Sequence, residues 1–259
     1  MKSSCTRKRN SGQVLIVTSM LIALLLLSTA AYVLETEKDV PVTNGEDNQL
    51  PFGLRQSATS TIISALSNVT GGGNPEVLAD DLTELSSAVS CSSYEAMLQM
   101  SYTPSDVSPY QDGIWIFWGS NGQGISSSSV SFAFNSSSLL SSSNLGFVVN
   151  LTSEVDFFGN YLPLGDNQTQ VNLTANVLNE NAPALADNFT FYYEYVGWPS
   201  TPFMVKVDAP SIISFGNGTY SISFMTPTDP ANDPLLVLTS CMDQRGIIAE
   251  ANATCTRIG

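Results

Sequence analysis

The chain has 259 residues, 9 cations against 23 acids, no histidine and four cysteines. A net charge of −14 disfavours nucleic acid and anionic lipid surfaces as electrostatic partners. The lack of histidine rules out Ser-His-Asp and Cys-His nucleophile systems and makes a Cys/His zinc site improbable.

Charge is distributed unevenly along the sequence. Lys2, Arg7, Lys8 and Arg9 precede residues 14–34, which carry no charge, and Glu35, Glu37, Lys38 and Asp39 follow them. At about 1.5 Å per residue, a helix over that run crosses the roughly 30 Å hydrocarbon core of a bilayer. A cleaved signal usually has a shorter apolar region and a small-residue cleavage site, which Ser28-Thr29-Ala30-Ala31 could supply. The full-length reading gives a cytoplasmic basic leader over 1–12 and a transmembrane helix over 13–35. Basic residues on the cytoplasmic side place everything beyond residue 35 outside the cell. That outer part holds all 23 acids and five of the nine cations, which leaves it 18 charges negative. Membrane lipid is thus an expected partner of the span, and nucleic acid is not a partner.

Residues 36–53 contain Pro41, Asn44 and Gly45 without periodicity, and read as a linker. Residues 54–103 read as a helical segment. Ala58, Ile62, Ala65 and Leu66 share one side of a first helix that Gly71-Gly72-Gly73 ends. Asn74 then caps a second helix, with Pro75 at its first position and Glu76, Asp80 and Asp81 near its positive end. Its stripe of Leu78, Leu82, Leu85 and Val89 requires a partner surface: the first helix, the strands or another subunit.

Beyond Pro104 the period changes from helical to alternating. Val130, Phe132 and Phe134 alternate with polar neighbours in a β region over 104–165, which is either a separate sheet or an extension of the one that follows. In 166–259 the same is true of Val171, Leu173, Ala175 and Val177, and of Phe189, Phe191, Tyr193 and Tyr195. Asn217-Gly218 is the expected tip of one hairpin, and residues 243–246 join the last two strands. Short strands at this spacing predict a β-sandwich over 166–259.

Asn-x-Ser/Thr sequons occur at Asn68, Asn135, Asn150, Asn167, Asn172, Asn188, Asn217 and Asn252, none before the apolar run. These are the candidate glycosylation sites. Of the cysteines, Cys5 lies on the cytoplasmic side. Cys91, Cys241 and Cys255 are the disulfide candidates. Turn placement at Gln244-Arg245 sets Cys241 opposite about Ile248 and Cys255 opposite about Pro234, too far apart to bridge. Pairing of Cys91 with either is the expectation, with three buried thiols as the alternative.

The carboxylate pairs Asp80/Asp81, Glu154/Asp156 and Asp229/Asp233 are the nearest approach to a glycosidase dyad, and Asp229, Asn232 and Asp233 to a calcium loop. Local turn chemistry accounts for the loop as well. Lys206 lacks a Ser-x-x-Lys context. No catalytic residue, cofactor site or metal site is therefore expected, and the chain is not read as an enzyme. Trp115, Trp118 and Trp198 supply aromatic surface of the kind that stacks on sugars, or that fills a core.

The stretch RKRNSGQVLIVTSMLIALLLLS resembles the N-termini of archaeal type IV pilin-like proteins and bacterial TadE/TadG-like pilus proteins. It differs from the pilin pattern at Ser11, where a basic residue is usual, and at Val17, where glutamate is frequent. The resemblance implies processing after Gly12, a mature start at Gln13, and other pilus or surface subunits as partners. FTFYYEYVG, NGTYSISF and CMDQRGIIAEANATC are similar to Ig-like β-sandwich domains of archaeal cell-surface proteins. Together these resemblances imply a single-pass anchored extracellular protein with a structural or adhesive role. A surface-held carbohydrate or solute binding module is the alternative.

Overall fold

In a computed structural model the described residues are 46–92, 97–137, 142–165, 167–196, 201–227 and 234–258. The expected leader and transmembrane helix over 1–35 lie outside them. The chain divides into two compact units, Met1–Pro51 and Phe52–Gly259; of the first, only residues 46–51 are described. Among the described residues no helix is long and apolar enough to cross a membrane.

The fold is mainly β with two helices. The elements are α1 (Glu46–Thr70), α2 (Val77–Ser92), β1 (Met97–Pro104), β2 (Ile114–Trp118), β3 (Gln123–Ser137), β4 (Ser142–Gly165), β5 (Gln168–Asn179), β6 (Ala182–Pro183), β7 (Ala186–Val196), β8 (Pro202–Lys206), β9 (Ser211–Ser214), β10 (Thr219–Thr226), β11 (Leu235–Asp243) and β12 (Ile248–Arg257).

Two expected boundaries move. Helix begins at Glu46, so the linker expected over 36–53 does not reach residue 53, and Pro51 and Gly53 lie within α1. The helical segment expected over 54–103 stops at Ser92, and Met97–Pro104 is a strand. Its alternation was present in the sequence: Leu98, Met100 and Tyr102 point inward while Gln99, Ser101 and Thr103 are exposed. The residue types alone are as compatible with helix as with strand.

The end of α1 follows directly from its glycines. Gly72 adopts a φ of 88°, its N–H reaches the Val69 carbonyl at 3.1 Å, and the Gly73 N–H reaches the Asn68 carbonyl at 2.9 Å. This paired 5→2 and 6→1 closure satisfies the last carbonyls and needs a residue without a Cβ at the left-handed position. At the start of α2, the Asn74 Oδ1 accepts the Glu76 N–H at 3.1 Å, as the capping reading requires.

The stripe of α2 has both intramolecular partners at once. Leu78, Leu82 and Val89 are buried in one cluster with Ala58, Ile62 and Ala65 of α1 and with Met100, Val130, Phe132, Phe134, Val149 and Leu151 of the sheet. The helices thus cover one face of β1, β3 and the first half of β4. A second cluster contains Val155, Phe157 and Tyr161 from the other half of β4, together with β5, β7, β10, β11 and β12. One 24-residue strand supplies both cores, so the β region expected over 104–165 is an extension of the sheet formed by 166–259.

The strands form one ladder in the order β8-β7-β11-β12-β4-β5-β10-β9, with β12 and β4 parallel and the other neighbours antiparallel. β3 pairs with the first half of β4 and carries β1 and β2. Phe191 of β7 stacks 6.1 Å from Phe224 of β10, and Phe189 meets Tyr220 edge-on at 4.9 Å. Strands this far apart in the ladder touch only because the sheet curls into two facing layers. The Ala186 N–H donating to the Tyr220 hydroxyl at 2.7 Å ties those layers at one end.

At the junction of the two halves, the β2–β3 turn wedges between β12 and β4. The Gly122 N–H donates to the Asn252 carbonyl at 3.0 Å, the Asn252 N–H to the Gly119 carbonyl at 2.9 Å, and the Phe157 N–H to the Gly122 carbonyl at 2.8 Å. Backbones are so close here that a Cβ on Gly124 would collide with the Glu250 carbonyl oxygen. Arg245 binds the same region together. Its Nε donates to Asp243 at 2.8 Å, one terminal nitrogen to Glu180 at 2.7 Å, and the other to the Thr152 carbonyl at 3.0 Å. Burial by itself would lower the Arg245 pKa, but the hydrogen bonds and charges of Glu180 and Asp243 more than offset it, and the pKa is raised.

Two turns differ in detail from the sequence expectation. In the β9–β10 hairpin the positive φ angles belong to Gly216 (76°) and Gly218 (79°), and Asn217 instead accepts the Thr219 N–H at 3.2 Å through its Oδ1. In the β11–β12 turn Asp243 accepts the backbone N–H groups of Arg245 and Ile247, and Gly246 takes the left-handed position at 83°. A three-residue loop of this kind displaces the register by one, so Cys241 faces Ala249 and Cys255 faces Leu235.

Candidate functional site

The sequon asparagines are the most coherent set of candidate residues. Asn68, Asn135, Asn150, Asn167, Asn188 and Asn217 are exposed, Asn172 and Asn252 are half-buried, and none is in either core. Asn68 sits on the exposed side of α1, and the other seven sit on strands or at turns. Asn172 lies between Val171 and Leu173, at 0% and 2% exposure, so period-2 alternation turns it outward. Asn167 takes a left-handed φ of 56° just before β5, where the short polar side chain is tolerated. The Asn150 Oδ1 accepts a hydrogen bond from Ser129 at 2.7 Å.

The tryptophans do not form a single platform. Trp115 and Trp118 lie on β2, and an offset of three residues puts them on opposite faces. Trp115 is half-buried against the edge of Tyr110, with ring centroids 6.1 Å apart, while Trp118 is 41% exposed and donates its indole N–H toward Ser126 at 3.4 Å. Trp198 lies outside the described residues.

Among the carboxylates, Asp80 is in the first turn of α2, as the helix dipole favours. Glu154 and Asp156 share the outer face of β4. Glu154 accepts a hydrogen bond from the Gln123 amide at 2.9 Å, and partial burial, with the Glu154 charge added, pushes Asp156 above the usual carboxylate range. Asp229, Asn232 and Asp233 lie outside the described residues. Among the described residues no cluster of three or more His, Cys, Asp or Glu side chains could hold a metal.

Cys91, Cys241 and Cys255 are free thiols, so the expected bond from Cys91 to a sandwich cysteine is not formed in this structure. Cys91 is exposed near the end of α2, whereas Cys241 and Cys255 are buried on β11 and β12. Burial, helped at Cys241 by Asp243, pushes both core thiols up to about 12. They are inert packing groups at neutral pH.

One concave feature was not apparent from the sequence. Summing the ladder pairings, β8 and β9 run in the same sense at opposite ends of the order. They are therefore one extended segment that leaves β7 and joins β10, bent at residues 207–210, a familiar way of turning a corner between layers. Beside the crossing lies a cleft of about 650 Å³ whose floor includes Tyr193, Val205 and Phe224, with Lys206 and Asp208 at its rim. Burial, then the charges of Tyr195 and Asp208, pushes the Tyr193 hydroxyl up. Lys206 is exposed and makes no ion pair among the described residues. The signal in the sequence was Asp208-Ala209-Pro210 between two short apolar runs, which reads equally as an ordinary loop.

No family model matches the chain, and no curated protein matches it.

Proposed function

We propose that the chain is a single-pass, membrane-anchored extracellular glycoprotein with a structural or adhesive role at the cell surface, a minor pilin-like subunit being its most specific form. The observation that carries this reading is the agreement between two independent patterns. The sequence has one uncharged run of bilayer length with four cations before it and a mainly acidic flank after it, and every sequon beyond that run has its asparagine at an exposed or half-exposed position. The two facing layers of the curled ladder, with aromatic side chains interleaved between them, support an Ig-like sandwich as the displayed domain.

A second reading, a surface-held carbohydrate or solute binding module, has a specific observation in its favour: the partly exposed aromatic strand β2, IWIFW, with Phe117 and Trp118 each more than 40% exposed. Sugar faces pack on such rings.

The test is sodium carbonate extraction of cell membranes followed by mass determination of the mature N-terminus. The anchored reading expects the chain in the pellet. A start at Gln13 supports pilin-type processing, and retention of residues 1–12 supports a plain anchor. Release into the carbonate supernatant overturns the anchored reading.

A further inference from the structure

Phe158 is 59% exposed on the outer face of β4, where its neighbours are polar. Residues 154, 156, 158 and 160 share that face, and it continues onto Asn172, Thr174 and Asn176 of β5. The register sets Phe158 directly opposite Thr174 and Asn160 opposite Asn172. Asn172-Leu173-Thr174 is a sequon. Its hydroxyl residue therefore stands across from the ring, and its asparagine lies on the diagonal, about 7–8 Å away between Cα atoms. The Asn172 Oδ1 accepts a weak hydrogen bond from Gln170 at 3.4 Å, and among the described residues its Nδ2 makes none.

Asn252 offers a poorer combination. Its backbone is bonded to Gly119 and Gly122, and that wedged turn separates it from β4.

We propose that Asn172 carries an N-linked glycan whose first sugar lies on Phe158. The assignment rests on the extracellular reading above and makes it specific. In the modification the Asn172 Nδ2 bonds to the anomeric carbon of a lipid-linked sugar phosphate. The anomeric C–O bond to phosphate breaks, the phosphate leaves with the electron pair, and the nitrogen loses one proton, so nothing is oxidised or reduced. A sugar presents polar hydroxyls at its rim and C–H groups on its faces. It matches a lone aromatic ring whose neighbours on the face are Thr174, Asn160, Asn172 and the Asp156 carboxylate, and it removes from water an apolar surface that the strand alternation otherwise leaves exposed.

The experiment uses the full chain purified from its own cells as wild type, N172Q, F158S and the double variant. Glycopeptide mass spectrometry gives site occupancy, and thermal unfolding gives the midpoint. The proposal expects sugar on Asn172 and a midpoint about 2–4 °C lower for F158S than for wild type. It expects no such drop when F158S is added to N172Q. An unmodified Asn172 in a chain glycosylated at other sequons overturns this proposal and leaves the extracellular reading standing. A chain with no glycan at any sequon removes the support for both. Equal effects of F158S with and without Asn172 overturn the stacking.

Discussion

The two halves of the described unit bury their apolar surface by different means. In the first, β1, β3 and the leading half of β4 are flat on one side and need the helices α1 and α2 as a cover. In the second, the ladder from β8 to β9 curls until its own layers meet, and the cover is more sheet. What joins them is a single long strand, a glycine-lined wedge and the Arg245 bonds, not a linker. The comparison teaches that a change in the mode of burial along a chain need not mark a domain boundary. If one strand serves both cores, the halves should unfold together.

Phe191→Ala addresses this with the largest effect. Phe191 is 1% exposed and contacts the rings of Phe157, Phe189 and Phe224. Its truncation should cost about 3–5 kcal/mol. Leu82→Ala, at a fully buried site under the helices, should cost roughly 2–5 kcal/mol. In denaturant titrations read by tryptophan fluorescence and by far-UV circular dichroism, each variant should shift one common transition. Two separated transitions in either variant would show that the halves are independent.

Arg245→Met comes next. The Asp243 side chain has 0% exposure, and removal of the guanidinium leaves that buried carboxylate without its ionic partner. A loss of about 3 kcal/mol is expected, again in a single transition. Gly124→Ala forces β3 away from Glu250 at the wedge and should cost about 1–3 kcal/mol, read from the same titrations.

Thiol chemistry sharpens the contrast without altering stability. At pH 8 in the native state, alkylation with iodoacetamide should modify Cys91 quickly. Cys241 and Cys255, held near a pKa of about 12, should react only after denaturation. Rapid modification of all three would mean that the second core opens readily.

The smallest effect is at Asp156. Its pKa is raised in the folded protein, so folding favours the protonated form. The benefit of that proton is present below the ordinary carboxylate pKa and is lost as pH rises from there through the folded value. Asp156→Asn should therefore stabilise the chain slightly at pH 7, an effect that solvent screening keeps small, with the difference vanishing in acid. Unfolding midpoints of the two proteins across pH 3–7 provide the check.

Much of the fold was legible in the sequence, because period carries burial. The faces Ala58-Ile62-Ala65-Leu66 and Leu78-Leu82-Val89, and the strand faces of β3, β5 and β7, are inward as their spacing required. Residues 97–104 were misassigned because eight alternating residues after a helix contain nothing that excludes another helical turn. Whether 104–165 forms its own sheet or extends the next one was not legible, because β4 is apolar-alternating at both ends and sequence pattern does not show which core each end enters. The register at the last hairpin slipped by one because Gly246, not the Gln244-Arg245 pair, sets the turn. Of the candidate site, the outward placement of Asn135, Asn172 and Asn252 was legible from alternation and that of Asn217 from its turn, whereas Asn68 lies on α1. The pairing of Phe158 with Thr174 and the strand crossing at 207–210 depend on which strands meet, and no local signal reports that.

The central claim is that residues beyond the apolar run face the outside of the cell. Its most direct test is protease treatment of intact cells followed by mass spectrometry of the released peptides. The account predicts release of peptides from 36–258 and none from 1–12 before lysis. Recovery of the 36–258 peptides only after the cells are broken would contradict it.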